Sequence, residues 1–282
     1  MNTVEPEDRV EFLLPARADN VPLVRHALAG LAEELGMDPS DVADLKTIVT
    51  EACMNVVIHA YDDAGPVEIT AWADGEVFTV RVRDFGRGIR PLADIDRRSL
   101  RLGLPLIAAL TVSFEVRGVP GEGTEVTMRI PISQASTRSG GAAAAGEVET
   151  GSEARIAIPA GDLLAPILSR VVSMYAARAD FSVDKLSDAV LLSDAISAHG
   201  PEGFPRGTAR LAISEEEGAF AIRVGPLAAG AGQRLVDGMR IPMLDASLED
   251  LADEVRVETG EGADHLVVRL AQRAESETGV AD

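Results

Sequence analysis

Glu51 and Asn55 stand four residues apart in the run TIVTEACMNVVIHAY (47–61), and on a helix that spacing sends both side chains from one face. A carboxylate and a carboxamide fixed on one rigid face can divide two tasks, one accepting a proton and the other offering oxygen to a hard cation such as Mg²⁺. A second group begins where VFTVRV (77–82) runs into RDFGRGI (83–89). There Asp84, at a strand end, can bond the edge of a planar base, and Gly86 and Gly88 let backbone approach closely. Seven arginines lie between positions 81 and 101, an enrichment that suits a loop folding over a polyphosphate. Gly103 follows, and the turn GEGT (121–124) ends on Thr124 before a final apolar segment.

Regular elements must hold these groups. A strand is predicted at Val10–Leu14, a helix from Val21 to Leu35, and a second helix from Pro39 or Ser40 to Ala60, with Ser40 and Asp41 as N-cap candidates. Strands at Val67–Ala73 and Val77–Arg83 are joined by Asp74-Gly75, a hairpin signal. A short helix near Leu104–Leu110 and strands at Val112–Arg117 and Glu125–Pro131 complete the first half. Helices gathered against a mostly antiparallel sheet make an α+β two-layer sandwich.

The segment 134–152 is rich in Gly, Ala, Ser and Thr and reads as a flexible linker. Beyond it the same order returns. A strand at Ala154–Ile158 precedes helices at Asp162–Ala177 and Val183–His199, then a hairpin at Thr208–Ser214 and Ala219–Val224. VFTVRV (77–82) aligns with AFAIRV (219–224), and PGEGTEVTMRI with TGEGADHLVVRL, as an internal duplication has it. The expected organisation is a domain at 8–133, the linker, a second domain at 153–273 and a tail at 274–282.

A net charge of −20 spread over both halves repels a phosphate backbone, so direct nucleic-acid binding is not expected. One cysteine, Cys53, excludes an internal disulfide framework and sits among apolar helix residues as an inert thiol. No window reads as a membrane span and the N-terminus lacks a signal-peptide pattern, which places the chain in the cytoplasm.

The order and spacing of these motifs resemble the N, G1, G2 and G3 boxes of the GHKL (Bergerat-fold, histidine-kinase-like) ATPase superfamily, specifically its anti-sigma-factor serine/threonine kinase branch. The resemblance covers nearly all of residues 8–133. It implies ATP and Mg²⁺ as ligands, Asn55 as the Mg²⁺ ligand bridging the phosphates, and Glu51 as the catalytic base. It makes Asp84 the partner of the adenine amine, with Gly86 and Gly88 shaping the adenine pocket and Thr124 completing it. Residues 90–101 would form the ATP lid, with Gly103 and Leu104 as its hinge. Arg25, on the first helix, matches an arginine that contacts the protein partner, and His59 is read as structural. The lid is short for the family. Arg101 replaces the first glycine of the usual G-x-G of the G2 box, a departure that bears on the phosphate cradle rather than on the adenine pocket.

The resemblance implies a kinase that phosphorylates a STAS-type anti-anti-sigma protein and that also holds a sigma factor. The alternative activity is a non-catalytic, nucleotide-gated binding module that sequesters either regulator. In the second half Leu192, Ile196, Pro226 and Ala228 stand where Glu51, Asn55, Asp84 and Gly86 stand in the first. That half is expected to be a degenerate copy, binding no ATP and forming an internal pseudo-dimer with the first.

Overall fold

In Arg9–Pro15 the alternation of the first strand decides which face is buried, because successive side chains leave a strand on opposite sides. Val10, Phe12 and Leu14 are buried, while Arg9, Glu11 and Leu13 are half-exposed. The computed structural model describes residues 9–63, 65–88, 103–132, 153–198, 203–238, 247–260 and 262–272. In its first half, β1 (Arg9–Pro15) leads to α1 (Asn20–Glu34), α2 (Pro39–His59), β2 (Pro66–Asp74), β3 (Val77–Asp84), α3 (Gly103–Leu110), β4 (Ser113–Val119) and β5 (Gly123–Pro131). The second half runs β6 (Ala154–Pro159), α4 (Leu164–Arg178), α5 (Val183–Ala198), β7 (Thr208–Glu216), β8 (Ala219–Ala228), α6 (Ala231–Gly238), α7 (Leu248–Leu251), β9 (Glu254–Gly260) and β10 (Ala263–Ala271).

Among the described residues ten strands form one sheet in the order β4-β5-β3-β2-β1-β6-β7-β8-β10-β9, each neighbouring pair antiparallel. The order is the same read outward from the centre in either direction. At the centre β1 pairs with β6 in the register Glu11↔Ala157, Phe12↔Ile156 and Leu13↔Arg155. Helices cover one face, and α1 packs on both α2 and α4. Across that seam the Arg178 guanidinium donates to Asn20 Oδ1 at 3.1 and 3.2 Å, and Arg170 Nη2 donates to Glu33 Oε2 at 2.7 Å. A Cβ at Gly30 would lie 2.4 Å from the Arg170 guanidinium, so a larger residue there would make that side chain shift.

Two expectations change. The N-cap of α2 is Asp38, in extended backbone, whose Oδ1 accepts from Ser40 N at 2.9 Å. Pro39 takes the first helical position, where its missing N–H costs nothing and its φ is already helical, so the cap falls one residue before it. Helices α6 and α7 were not anticipated. The first is two turns long, and the second is a single turn held by a Ser247–Asp250 capping box, both too short for a periodic signal. The predicted linker (134–152), the lid (90–101) and the C-terminal tail (274–282) fall outside the described residues. Among the described residues no helix is long and apolar enough to cross a membrane.

Candidate functional site

Helix α2 is set by its apolar stripe. Leu45, Ile48, Val49, Ala52 and Val56 are buried against the sheet, which turns Glu51 and Asn55 to a half-buried flank. Nothing among the described residues bonds Asn55 Nδ2, although that atom is shielded from solvent. A buried amide nitrogen with no partner costs about 1–3 kcal/mol, so it needs an account. The same helix holds Cys53, whose thiol burial pushes up to about 12, in keeping with an inert side chain.

On β3 the alternation places Phe78, Val80, Val82 and then Asp84 toward the helices. Asp84 is only 4% exposed. Its Oδ1 accepts from Gly86 N at 2.9 Å, and its carboxylate also accepts from the Thr124 backbone N–H and hydroxyl. Burial nevertheless pushes its pKa above the usual carboxylate range, and those hydrogen bonds only partly pull it back.

The loop after Asp84 is stitched to its neighbours by backbone. Arg87 N donates to Ala60 O at 2.9 Å, at the end of α2, and Gly121 N donates to Arg87 O at 2.8 Å, from the β4–β5 turn. Gly86 passes so close to α2 that a Cβ there would lie 2.0 Å from Ala60 O. Gly123, at φ 96°, passes Asp84 equally closely, its ideal Cβ 2.0 Å from Asp84 O. Gly88 has φ 67°, which glycine adopts freely. Tyr61 ties the corner together: its hydroxyl accepts from Phe85 N at 2.8 Å and donates to Pro66 O at 2.5 Å. Tyr61 and Gly123 were missed as site builders, although the aromatic residue closing IHAY and the second glycine of GEGT were visible signals.

The structure therefore joins the end of α2, the Asp84–Gly88 loop and the Gly121–Thr124 turn. Gly103 and Leu104 open α3, which packs against α2. Arg101 and the rest of the lid lie outside the described residues. Arg25 is on α1, half-buried, with its Nη2 3.4 Å from His26 Nε2, and is not part of this corner.

The arginine enrichment resolves differently from the expectation. Arg81 and Arg83 leave β3 on the face opposite Asp84, Arg81 lying 3.8 Å from Glu68 and 3.9 Å from Glu125 and Arg83 stacking 4.8 Å over the Phe85 ring. Arg87 pairs with Asp62. Strand alternation, which a count of arginines ignores, sends the first two away from the Asp84 corner.

The residues present fit a purine and a phosphate-bound metal. Asp84 offers a carboxylate in a water-poor corner, and on α2 the Asn55 Nδ2 is buried without a partner among the described residues. No cluster of three or more His, Cys, Asp or Glu among the described residues could hold a metal unaided.

Comparison with known proteins agrees with this geometry. Residues 14–130 match the model of the histidine kinase-like ATPase domain. A serine-protein kinase RsbW of Halalkalibacterium halodurans is 31% identical over 132 residues, 42% of this chain and 80% of that protein. An anti-sigma F factor of Thermoanaerobacter sp. strain X514 is 27% identical over 135 residues, 44% of this chain and 94% of that protein. The solved RsbU and RsbW domains of a Mycobacterium tuberculosis protein overlay with a TM-score of 0.29 at 10% identity, covering 84% of this chain and 83% of that one, too loosely to add to the case. The motif order, the packed Asp84 corner and these relatives converge: the chain belongs to the GHKL (histidine-kinase-like) ATPase superfamily, in the branch of the anti-sigma-factor serine kinases.

Proposed function

We propose that residues 9–132 form a Mg²⁺- and ATP-dependent serine/threonine kinase acting on a small STAS-type anti-anti-sigma protein, and that the second half is a degenerate copy serving as its packing partner. The observation that carries the reading is Asn55 Nδ2, a donor buried without a partner among the described residues and so free to bond a phosphate oxygen, one helical turn beyond Glu51 on the helix whose end is bonded to the Asp84 loop.

Asp84 would accept a hydrogen bond from the adenine amine, held for that purpose by Gly86 and Thr124. Asn55 would present its Oδ1 to a metal ion, and Mg²⁺ bound there would neutralise charge on the transferring phosphoryl group. Glu51 would orient the acceptor hydroxyl and take its proton as the bond to the γ-phosphorus forms and ADP leaves. Arg25, on α1, would contact the protein partner. The equivalents of Glu51 and Asn55 in the second half, Leu192 and Ile196, are buried at 0% and 3% exposure. The space that is a polar flank in one half is apolar core in the other, which supports one nucleotide site per chain.

Replacement of the first G2 glycine by Arg101 favours a second reading, in which nucleotide binding gates capture of the regulator without transfer. Incubation with labelled ATP, Mg²⁺ and candidate STAS proteins separates the two. Label transfer that is lost in Glu51→Ala while ATP binding persists supports the kinase. Nucleotide-dependent capture without transfer supports the module, and capture unaffected by Arg25→Glu removes that residue from the partner surface.

A further inference from the structure

Most cations described on this acidic protein are paired. Arg81, Arg178, Arg223 and Arg269 each meet a carboxylate, and Lys185, one of two lysines in the chain, is buried against Asp253 at 2.7 Å. The other lysine, Lys46 on α2, has no carboxylate partner among the described residues, and neither has Arg25 on α1, whose Nη2 lies 3.4 Å from His26 Nε2. With a net charge of −20 the chain has carboxylates to spare, and none closes on these two groups.

On α1, Val24, Ala27, Leu28 and Leu31 are buried, which turns Arg25 and His26 outward. Because α1 packs on both α2 and α4, Lys46 from one side and Arg170 from the other come close enough for their charges to act on the His26 ring. Arg170 lies over Gly30, one turn beyond His26, but Glu33 holds it at 2.7 Å. Arg25, His26 and Lys46 are therefore the open groups, on two helices whose axes stand about 8–10 Å apart. Like charges gathered in this way repel. Partial burial first, and then Arg25, Lys46 and Arg170, hold the His26 pKa below the usual imidazole value. In the neutral ring with its proton on Nδ1, Nε2 accepts from Arg25 Nη2. A second proton, on Nε2, would end that bond and leave both groups to a carboxylate.

We propose that Arg25, His26 and Lys46 form a docking site for an acidic segment of the protein partner. The proposal deepens the reading that Arg25 faces that partner, and rests on it. Carboxylates one helical turn apart, about 5–6 Å, would reach Arg25 and His26 on one helix and Lys46 on the next. A nucleic-acid backbone is disfavoured by the net charge of −20, whereas a protein can set two or three carboxylates on a small basic patch and bring no further charge. Protonation of His26 tightens the contact. A carboxylate beside the ring raises its pKa in the complex, so docking takes up a proton, and affinity rises as the pH falls through the range between the free and the bound value.

Fluorescein-labelled peptides (Glu-Ala)₅ and (Lys-Ala)₅ and a ten-nucleotide single-stranded RNA would be titrated into the full chain at low salt, without nucleotide. The acidic peptide should bind best, lose affinity with added salt, and bind about tenfold more weakly to Arg25→Glu and to Lys46→Glu. Arg206→Glu, the same charge change at an exposed arginine of the second half, should leave binding as it is. From about pH 8 to about pH 5.5 affinity should rise about fivefold, and His26→Gln should remove that rise. If a charge reversal melts early, the double variant Arg25→Gln/Lys46→Gln serves in its place and should give the same loss. Tighter binding of the RNA, equal binding of the two peptides, an equal loss in Arg206→Glu, or a rise with acidity that survives in His26→Gln would overturn the inference. The peptide offers no hydroxyl and the assay no ATP, so failure of the kinase reading shows only in label transfer and failure of docking only in this titration.

Discussion

Replacing Asp84 by Asn tests the proposed nucleotide corner most directly, because the change keeps shape and removes charge. Oδ1 can still accept from Gly86 N at 2.9 Å. The new amide NH₂, however, faces donors of Thr124, which bonded the carboxylate. A charge-assisted hydrogen bond contributes about 1.5–3 kcal/mol, so losing the one to adenine should weaken ATP roughly ten- to a hundredfold. ADP should weaken by the same factor, since the adenine contact is indifferent to the γ-phosphate. Stability should move less: the mismatch with Thr124 costs about 1–2 kcal/mol, offset in part because the buried negative charge is gone. Acidity gives an independent check. Burial raises the Asp84 pKa, so in the folded protein the carboxylate takes up its proton above the range in which an unfolded Asp does. Lowering the pH should therefore remove affinity for both nucleotides as the raised pKa is crossed. The same protonation relieves burial of the charge, so Asp84 itself adds stability as the pH falls through that window. Calorimetric titration with ATP and ADP, beside thermal melts across pH, reads all of these. Unchanged affinity for both nucleotides, or loss of ATP alone, would refute the adenine assignment.

Asn55→Ala should abolish the Mg²⁺-dependent part of ATP affinity while leaving binding in EDTA nearly intact. It should not lower the melting temperature of the nucleotide-free protein, because an unpartnered buried amide is removed with the side chain; equal loss with and without Mg²⁺ would make Asn55 structural. Gly86→Ala should displace the loop from α2, a Cβ there standing 2.0 Å from Ala60 O, and cost about 1–3 kcal/mol by denaturant titration together with most nucleotide affinity; a wild-type midpoint would show that the loop yields freely. Residues 9–132 alone should self-associate or melt at lower temperature than the full chain, which should be a monomer with one nucleotide site. Light scattering and nucleotide titration giving a full-length dimer, or two sites per chain, would sink the internal pseudo-dimer.

Much of the corner was legible because it depends on local rules. Glu51 and Asn55 follow from helical spacing, and Asp84 from its place after Val80 and Val82 on one strand face. The strands and long helices of both halves lie within a few residues of their predicted bounds, since each has a clear apolar period. What stayed hidden depends on partners distant in sequence. Gly123 looks like any turn glycine until β5 brings it against the Asp84 carbonyl. Tyr61 acts only because β3 ends beside the start of β2. Arg81 and Arg83 seemed to belong with the lid arginines, and only the strand period separates them.

On the proposed reading, the seam underlies unequal roles for the two halves. As β1 and β6 pair, the only sheet edges left among the described residues are β4 and β9, and two central strands that would each be an exposed edge alone cover one another. Asn20 is 5% exposed and bonds both Pro15 O on its own side and Arg178 on the other, so the first half carries a buried amide whose bonding is completed by the second. Filling the second half's own polar flank with Leu192 and Ile196 stabilises that copy by about 1.5–3 kcal/mol per side chain relative to leaving each exposed. If the second half binds no nucleotide, as proposed, it can take that stabilisation. The first half cannot without closing the flank that holds Glu51 and Asn55, so its stability must come from elsewhere, and the continuous sheet and the α1–α4 contact are where this chain supplies it.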